Sequence, residues 1–262
     1  MKIIVLMKPA PDIEKVKFDV KKGVVDRSSA KLEINPFDLH AIEAAVRIKE
    51  SIGGTVTVIS MAPPHAEPAL RDALARGADR AILLSDRRFA GSDTLATSYT
   101  LASAIKKIGE FDLIICGEKS VDGDTGQVGP EVAEFLGIPH VSYVTGIKEV
   151  SCESVTVVSD FGIAYYLIKI KLPALISVTK EANVPRKPKF KDLMKARKAK
   201  IEVWTADDLR DVVDFSRLGL EGSATRVVKA YYALEKGREG TRVKGDEGVR
   251  KIIELLSSSG VI

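Results

Sequence analysis

The feature that most constrains this chain is an alternation of two kinds of apolar pattern. Over residues 1–184, short apolar runs of strand length alternate with segments whose apolar residues recur at helical spacing. Ile3–Met7 is the first apolar run. Phe37–Ser51 carries Leu39, Ile42, Ala45, Val46 and Ile48 at a helical period, and the β-branched run Thr55–Ser60 follows Gly53 and Gly54. Ala66–Arg76 reads as a helix stopped by Gly77, Ala81–Leu84 as a strand, and Asp93–Ile108 as a helix with Leu95, Tyr99, Ala102 and Ile105 on one stripe. Leu113–Cys116 is a strand, and Pro130–Leu136 is a helix ended by Gly137. Val141–Val144, Val155–Ser159, Ala164–Lys171 and Leu175–Thr179 are further strands. Strands this apolar are buried on both faces, so the order implies an α/β fold, a mainly parallel sheet with helices on both faces. Ligands bind such sheets beyond the carboxyl ends of the strands, which directs attention to the loops after Met7, Ser60, Leu84 and Cys116.

From residue 185 the character changes. Arg186, Lys187, Lys189, Lys191, Lys195, Arg197, Lys198 and Lys200 crowd into one segment with a single acid, Asp192. Val203–Val213 and a Gly- and charge-rich stretch follow, and a last helix is expected at about Glu247–Ser257. Gly237, Gly240, Gly245 and Gly248 argue against a compact core there. Residues 1–184 are therefore expected to form one domain, and residues 185–262 an extended arm that packs on something else. A frayed, solvated tail is the other reading. It leaves Tyr231, Tyr232, Ile252, Ile253, Leu255 and Leu256 without burial.

Composition narrows the function classes. Forty Lys and Arg against 36 Asp and Glu leave a net charge of only +4, too little by itself to point to nucleic acid. No run reaches the ~18 apolar residues of a membrane span. The first apolar run is ended by Lys8 and lacks a small-residue cleavage site, so it is expected to be a buried strand rather than a signal peptide. The two cysteines, Cys116 and Cys152, exclude a disulfide framework and read as free thiols in a reducing cytoplasm. One glutamine, Gln127, and two asparagines, Asn35 and Asn183, with 29% charged residues, point to a thermophilic source.

Three constellations carry candidate chemistry. The first is the loop from Cys116 to Glu131, where a buried strand leads through four glycines to a helix opening near Pro130. Unpaired N–H groups at such a helix start favour phosphate oxygens, glycines permit close approach, and Thr125 and Gln127 can add hydrogen bonds. Asp122 and Asp124 oppose a phosphate unless they face ribose hydroxyls or backbone amides. Nucleotide binding and a structural turn both remain open on these residues. No Lys stands in P-loop spacing, and no GxGxxG follows the first strand. The second is Asn35-Pro36-Phe37-Asp38, where Asn35 is either a helix N-cap or a contact to a base or ribose. The third is the Phe89–Ser98 segment. There Ser92 or Asp93 can cap the next helix, while Thr94 and Thr97, three apart on one face, can meet a cofactor. His40, His65 and His140 are scattered, and HExxH, GxSxG and CxxC are absent, so any chemistry belongs to a bound cofactor.

With these residues in view, the chain resembles the β subunit of electron transfer flavoproteins over essentially its whole length. The resemblance rests on Met7-Lys8, Asn35-Pro36-Phe37, the loop Asp122-Gly123-Asp124-Thr125-Gly126-Gln127-Val128-Gly129-Pro130, and Leu172-Pro173-Ala174. Ala182–Arg186 and Leu193–Glu202 extend it. It implies an adenine-nucleotide-binding type of α/β domain and a C-terminal arm embracing an α subunit. The family's nucleotide contacts fall on Leu6, on Asn35, Pro36, Phe37 and Asp38, and on Met61. They continue through Asp122, Gly123, Asp124, Thr125, Gly126, Gln127, Val128, Gly129, Pro130, Glu131, Val132 and Ala133. Thr94 and Thr97 are added as groups expected near a flavin or its phosphates.

The family divides by what occupies this site. One branch holds AMP as a structural nucleotide in a loop of the form DDDCNQTGQ. The electron-bifurcating branch holds FAD, with a loop like DGDTAQVGP. This chain reads DGDTGQVGP, which is most like the second. The resemblance thus implies FAD here, with AMP as the alternative. NADH would be the electron donor, an α-subunit FAD one acceptor, and ferredoxin or flavodoxin a low-potential acceptor. A dehydrogenase or quinone oxidoreductase is a further implied partner, docking on Phe190 with Leu193 and Lys195 beside it.

Overall fold

The computed structural model describes residues 1–11, 17–19, 24–26, 32–228 and 242–262. By contacts the chain divides into two units, Met1–Val228 and Lys229–Ile262.

The first unit is built on a nine-stranded sheet in the order β11-β10-β9-β12-β8-β1-β6-β7-β13. Its central strands are β1 (Lys2–Leu6), β6 (Thr55–Met61), β7 (Arg80–Leu84), β8 (Leu113–Gly117) and β12 (Ala174–Val178), all paired in parallel. The helices are α1 (Pro36–Ile52), α2 (Glu67–Ala75), α3 (Thr94–Ile108) and α4 (Val128–Leu136). Residues of α1 and α2 pack with Ile3, Val5, Val56, Val58 and Ile115 on one face. Residues of α3 and α4 pack with Ile4, Leu6, Ile59, Ile114 and Leu175 on the other. The near-continuous apolar runs are explained by this: each central strand buries both faces.

The edges depart from the parallel pattern. Strands β9 (His140–Val150), β10 (Ser154–Asp160) and β11 (Tyr165–Lys171) form an antiparallel meander, joined to the sheet by the parallel β9–β12 pair. Strand β9 runs well past the expected Val141–Val144, because its second half pairs only with β10 and needs no two-sided apolar run. At the opposite edge β13 (Glu202–Trp204) pairs with β7, and α5 (Phe190–Lys198) lies against α2. The Arg71 guanidinium caps α5 by donating to the carbonyls of Ala196, Arg197 and Ala199. The compact unit therefore extends to Val228, beyond the division expected at residue 184, because this edge strand and cap tie the segment down.

Short ribbons β2 (Pro9–Pro11) with β5 (Leu32–Ile34), and β3 (Lys17–Asp19) with β4 (Val24–Asp26), complete this unit. In the second unit α6 spans Gly245–Ser258 and leaves Val249, Ile252, Ile253 and Leu255 exposed. Tyr231 and Tyr232 lie outside the described residues. Among the described residues no helix is long and apolar enough to cross a membrane.

Chain direction locates the site. From β1 the chain passes through α1 to β6 and through α2 to β7, moving outward along one face of the sheet. It then returns through α3 to β8, on the other side of β1 and by the other face. The order thus reverses between β1 and β8, and a crevice opens at their carboxyl ends.

Candidate functional site

A cavity of about 370 Å³ occupies that crevice. Leu6 and Met61 at two strand ends, Phe89, Leu101 and Val128 supply its apolar wall. Lys8, Ser120, Thr94 and Thr97 supply polar groups.

Buried Asp38 organises the floor. Its carboxylate accepts the N–H of Lys8 (2.7 Å) and of Gly117 (3.1 Å), joining the ends of β1 and β8 to the first turn of α1. Burial dominates its titration and raises it to about 7, against the lowering effect of those same hydrogen bonds. Beside it, burial also pushes the Cys116 thiol up, with the Asp38 charge adding to the effect. Cys116 is therefore a packed neutral thiol rather than a reactive one.

Asn35 stands at the N-cap position of α1, but its side chain does not cap the helix. It reaches the glycine-rich loop instead. Its Nδ2 donates to the Lys119 carbonyl (2.8 Å), and its Oδ1 accepts from the Val121 N–H (3.2 Å). Phe37 turns away from the cavity, its ring under the ammonium groups of Lys180 (4.6 Å) and Lys119 (5.8 Å). Gly117 permits this crowding, since a Cβ there would stand 2.6 Å from Phe37 Cβ and 2.5 Å from Asp38 Oδ1.

The loop acids are held by lysines. Lys8 Nζ donates to both Asp122 oxygens (2.6 and 2.8 Å) and approaches Ser120 Oγ at 3.3 Å. Asp124 pairs with Lys119 at 2.8 Å. Burial raises the Asp122 carboxyl, but the hydrogen bond and charge of Lys8 outweigh it and hold the group below its usual range. From the sequence the acids are expected to oppose a phosphate unless ribose hydroxyls or backbone amides meet them; the partners found are lysines, Lys8 from the end of β1 and Lys119 from the loop.

Past Asp124 the loop becomes a donor surface. Helix α4 begins at Val128, two residues before the expected Pro130, and Gln127 at its N-cap makes no side-chain cap bond. Pro130 falls inside the first turn, where an absent N–H costs nothing. Among the described residues, the backbone N–H groups from Thr125 to Gly129 have no hydrogen-bond acceptor, and these same residues line the cavity. Such a run of unpartnered amides at a helix start suits an anion. Gly129 lets α4 close onto β8, since a Cβ there would meet Cys116 Sγ at 2.9 Å.

Helix α3 forms the remaining wall. Asp93 caps it by accepting the Ala96 N–H, and also accepts the N–H and hydroxyl of Thr225. The Thr94 hydroxyl is shared between Gln127 and Glu131, while Ser98 donates to the other Glu131 oxygen. The Thr97 hydroxyl lines the cavity and has no hydrogen-bond partner among the described residues.

Of the residues expected from the sequence, the cavity gathers Leu6, Asn35, Asp38, Met61, Thr94, Thr97, Gly123, Thr125, Gly126, Gln127, Val128 and Gly129. Pro36, Phe37, Asp122, Asp124 and Pro130 support the wall from outside it, and Glu131 bridges α4 to α3. Val132 and Ala133 are fully buried in the core. Lining residues not singled out as contacts include Lys8, Phe89, Leu101, Lys119 and Ser120. The sequence signal for Lys8 is its place directly after the first strand. Asn183 lies elsewhere, exchanging hydrogen bonds with His40. Far from the cavity, α5 buries Ala196 and leaves Phe190, Leu193 and Lys195 exposed.

Residues 22–209 match the family model described as "Electron transfer flavoprotein domain". The chain is 44% identical to the electron transfer flavoprotein subunit beta of Thermoanaerobacterium thermosaccharolyticum, over all of both chains. It is 44% identical to the subunit of the same name from Clostridium acetobutylicum, covering 91% of this chain and 90% of that one. It is 40% identical to the caffeyl-CoA reductase-Etf complex subunit CarD of Acetobacterium woodii, covering 90% of each.

Proposed function

This chain belongs to the electron transfer flavoprotein family, among its β subunits, and on that premise we propose that its cavity holds FAD and serves electron bifurcation. Electrons enter from NADH and leave both to an FAD in an α-subunit partner and to a low-potential acceptor such as ferredoxin or flavodoxin. When bound, FAD supplies the capacity to take two electrons together and release them singly. The chain's residues supply the binding. Leu6, Met61, Phe89 and Leu101 give the cavity an apolar wall that excludes water. The N–H groups from Thr125 to Gly129 offer donors to phosphate oxygens. The Thr97 hydroxyl is free to orient a polar edge.

That unpartnered donor run in a cavity that also has an apolar wall is the observation that carries the reading. Gly123 adds to it, because among the described residues only Ser120 Oγ and Lys8 Nζ come within 4.0 Å of where its Cβ would be. The cavity volume favours a second reading, AMP as a structural nucleotide in a non-bifurcating carrier. About 370 Å³ lies near the small end for ligand sites. The test is a visible spectrum with analysis of released cofactors on the purified complex with its α subunit. Two FAD per heterodimer supports bifurcation. One FAD with one AMP refutes it in favour of the carrier.

Within the same reading, exposed Phe190 is the apolar anchor for a dehydrogenase or quinone oxidoreductase. Leu193 flanks it, and Lys195 contributes to the basic surface that steers an acidic partner face. Residues 185–262 supply the docking segment and the arm on the α subunit, and the complex works in the cytoplasm.

A further inference from the structure

We infer that Lys8 is a phosphate-contacting residue of this cavity, and that Asp122 serves to hold its ammonium at the cavity wall. The inference rests on the nucleotide reading above and adds a charged contact to it.

Three observations meet at Lys8. First, its backbone is fixed, because its N–H donates to the buried Asp38 carboxylate at 2.7 Å. The side chain therefore starts from a rigid strand end rather than from a mobile loop. Second, its ammonium is placed. An ammonium has three N–H donors. Two are satisfied by the Asp122 oxygens at 2.6 and 2.8 Å, while among the described residues the third has Ser120 Oγ at 3.3 Å, long for a charge-assisted bond. Third, the placement is asymmetric. Lys8, Ser120 and Gly123 line the cavity, whereas Asp122 does not. The ammonium thus links a carboxylate outside the lining to a hydroxyl within it, and its longer contact is the one to the lining residue, Ser120. Gly123 leaves the approach clear, since Nζ lies 4.0 Å from the position of a Cβ there.

Lys8 and the residues from Thr125 to Gly129 line the same cavity. A phosphate between them receives charge-assisted donors from both, and the cation offsets the carboxylate of Asp122. A staple role for the Lys8–Asp122 pair makes a different claim: the pair would only fix the loop, and either partner would matter equally for every ligand.

The test compares Lys8→Gln and Asp122→Asn in the full chain co-purified with its α subunit and freed of nucleotide by dialysis against bromide. Calorimetry then gives affinities for ADP, AMP and adenosine. Losing one charge-assisted contact corresponds to roughly a ten- to hundredfold change. Lys8→Gln is therefore expected to weaken ADP and AMP by that factor and leave adenosine within about twofold. Asp122→Asn loosens the hold on the ammonium while keeping one oxygen acceptor, and is expected to weaken ADP and AMP by less than Lys8→Gln does and leave adenosine within about twofold. Equal weakening of all three ligands by both variants overturns the inference and makes the pair a staple. Unchanged ADP binding in Lys8→Gln overturns it as well. If the unsubstituted complex binds none of the three, the nucleotide reading falls and this inference with it.

Discussion

Asp38→Asn tests the energetics of the cavity floor, because two effects of that substitution can be separated by pH. The carboxylate now accepts two backbone N–H groups, from Lys8 and Gly117. An amide has one oxygen, so one of those buried donors loses its acceptor and faces an NH₂ group. That orphaned donor costs about 1–3 kcal/mol at every pH. The second effect depends on pH. Burial raises the Asp38 carboxyl from its ordinary 3.8 to about 7. For an acid raised on folding, the native state holds more protons than the unfolded state between these values, so stability falls as pH rises through the window. The full span corresponds to about 4 kcal/mol, absent below pH 4 and fully expressed above pH 7. Asparagine cannot ionise and escapes this loss. Urea unfolding of both proteins from pH 4 to pH 8 is therefore expected to show the variant less stable at pH 4. Its deficit should shrink and then reverse by pH 7.5 to 8. Glu43 does not confuse the window: burial raises its carboxyl, but Arg186 and Arg47 more than compensate and hold it at about 2. A stability difference that stays constant across the range refutes the argument that desolvation rules Asp38.

Three other outcomes follow from the packing and charge pairs. Gly129→Ala places a Cβ 2.9 Å from Cys116 Sγ. It is expected to cost about 1–3 kcal/mol of unfolding free energy, largely recovered by adding Cys116→Ala, so additivity in this double-mutant cycle overturns the contact. Arg186→Ala removes the guanidinium held by Glu43 and Glu50 and is expected to cost about 3 kcal/mol. The unsubstituted chain should also lose stability as pH falls from 4.5 towards 2, the window set by Glu43, and an unchanged acid profile in the variant contradicts the pairing. Phe190→Ala removes an exposed apolar side chain at the start of α5, and is expected to weaken coupling to a partner dehydrogenase roughly tenfold or more with flavin content unchanged. Lost flavin assigns Phe190 a structural role instead.

Period and punctuation made most of the fold legible. Apolar β-branched runs revealed the central strands because both their faces are covered, and Gly77 and Gly137 revealed two helix ends for the same local reason. The antiparallel meander was less legible in its extent. Strand β10 buries Val155 and Val157 on one face only, and the second half of β9 follows it away from the parallel pairs. The edge strand β13 was illegible, since its three residues gain their place by pairing with β7, a contact more than a hundred positions away.

The site divides along the same line. Glycine spacing and the Asn-Pro turn pointed to loops that line the cavity because they report backbone geometry, which is local. The partners of the charges are not local: Lys8 reaches Asp122 across 114 positions, and Asn35 reaches Val121 across 86. Without those partners the two loop acids read as an obstacle to a phosphate. With them Asp122 and Asp124 are each paired with a lysine, and the unpartnered amides of the same loop line the cavity. Asp122 and Asp124 are each matched by a lysine, Lys8 from the end of β1 and Lys119 from the loop itself, and the anchoring of Lys8 by Asp38 ties the floor to the loop.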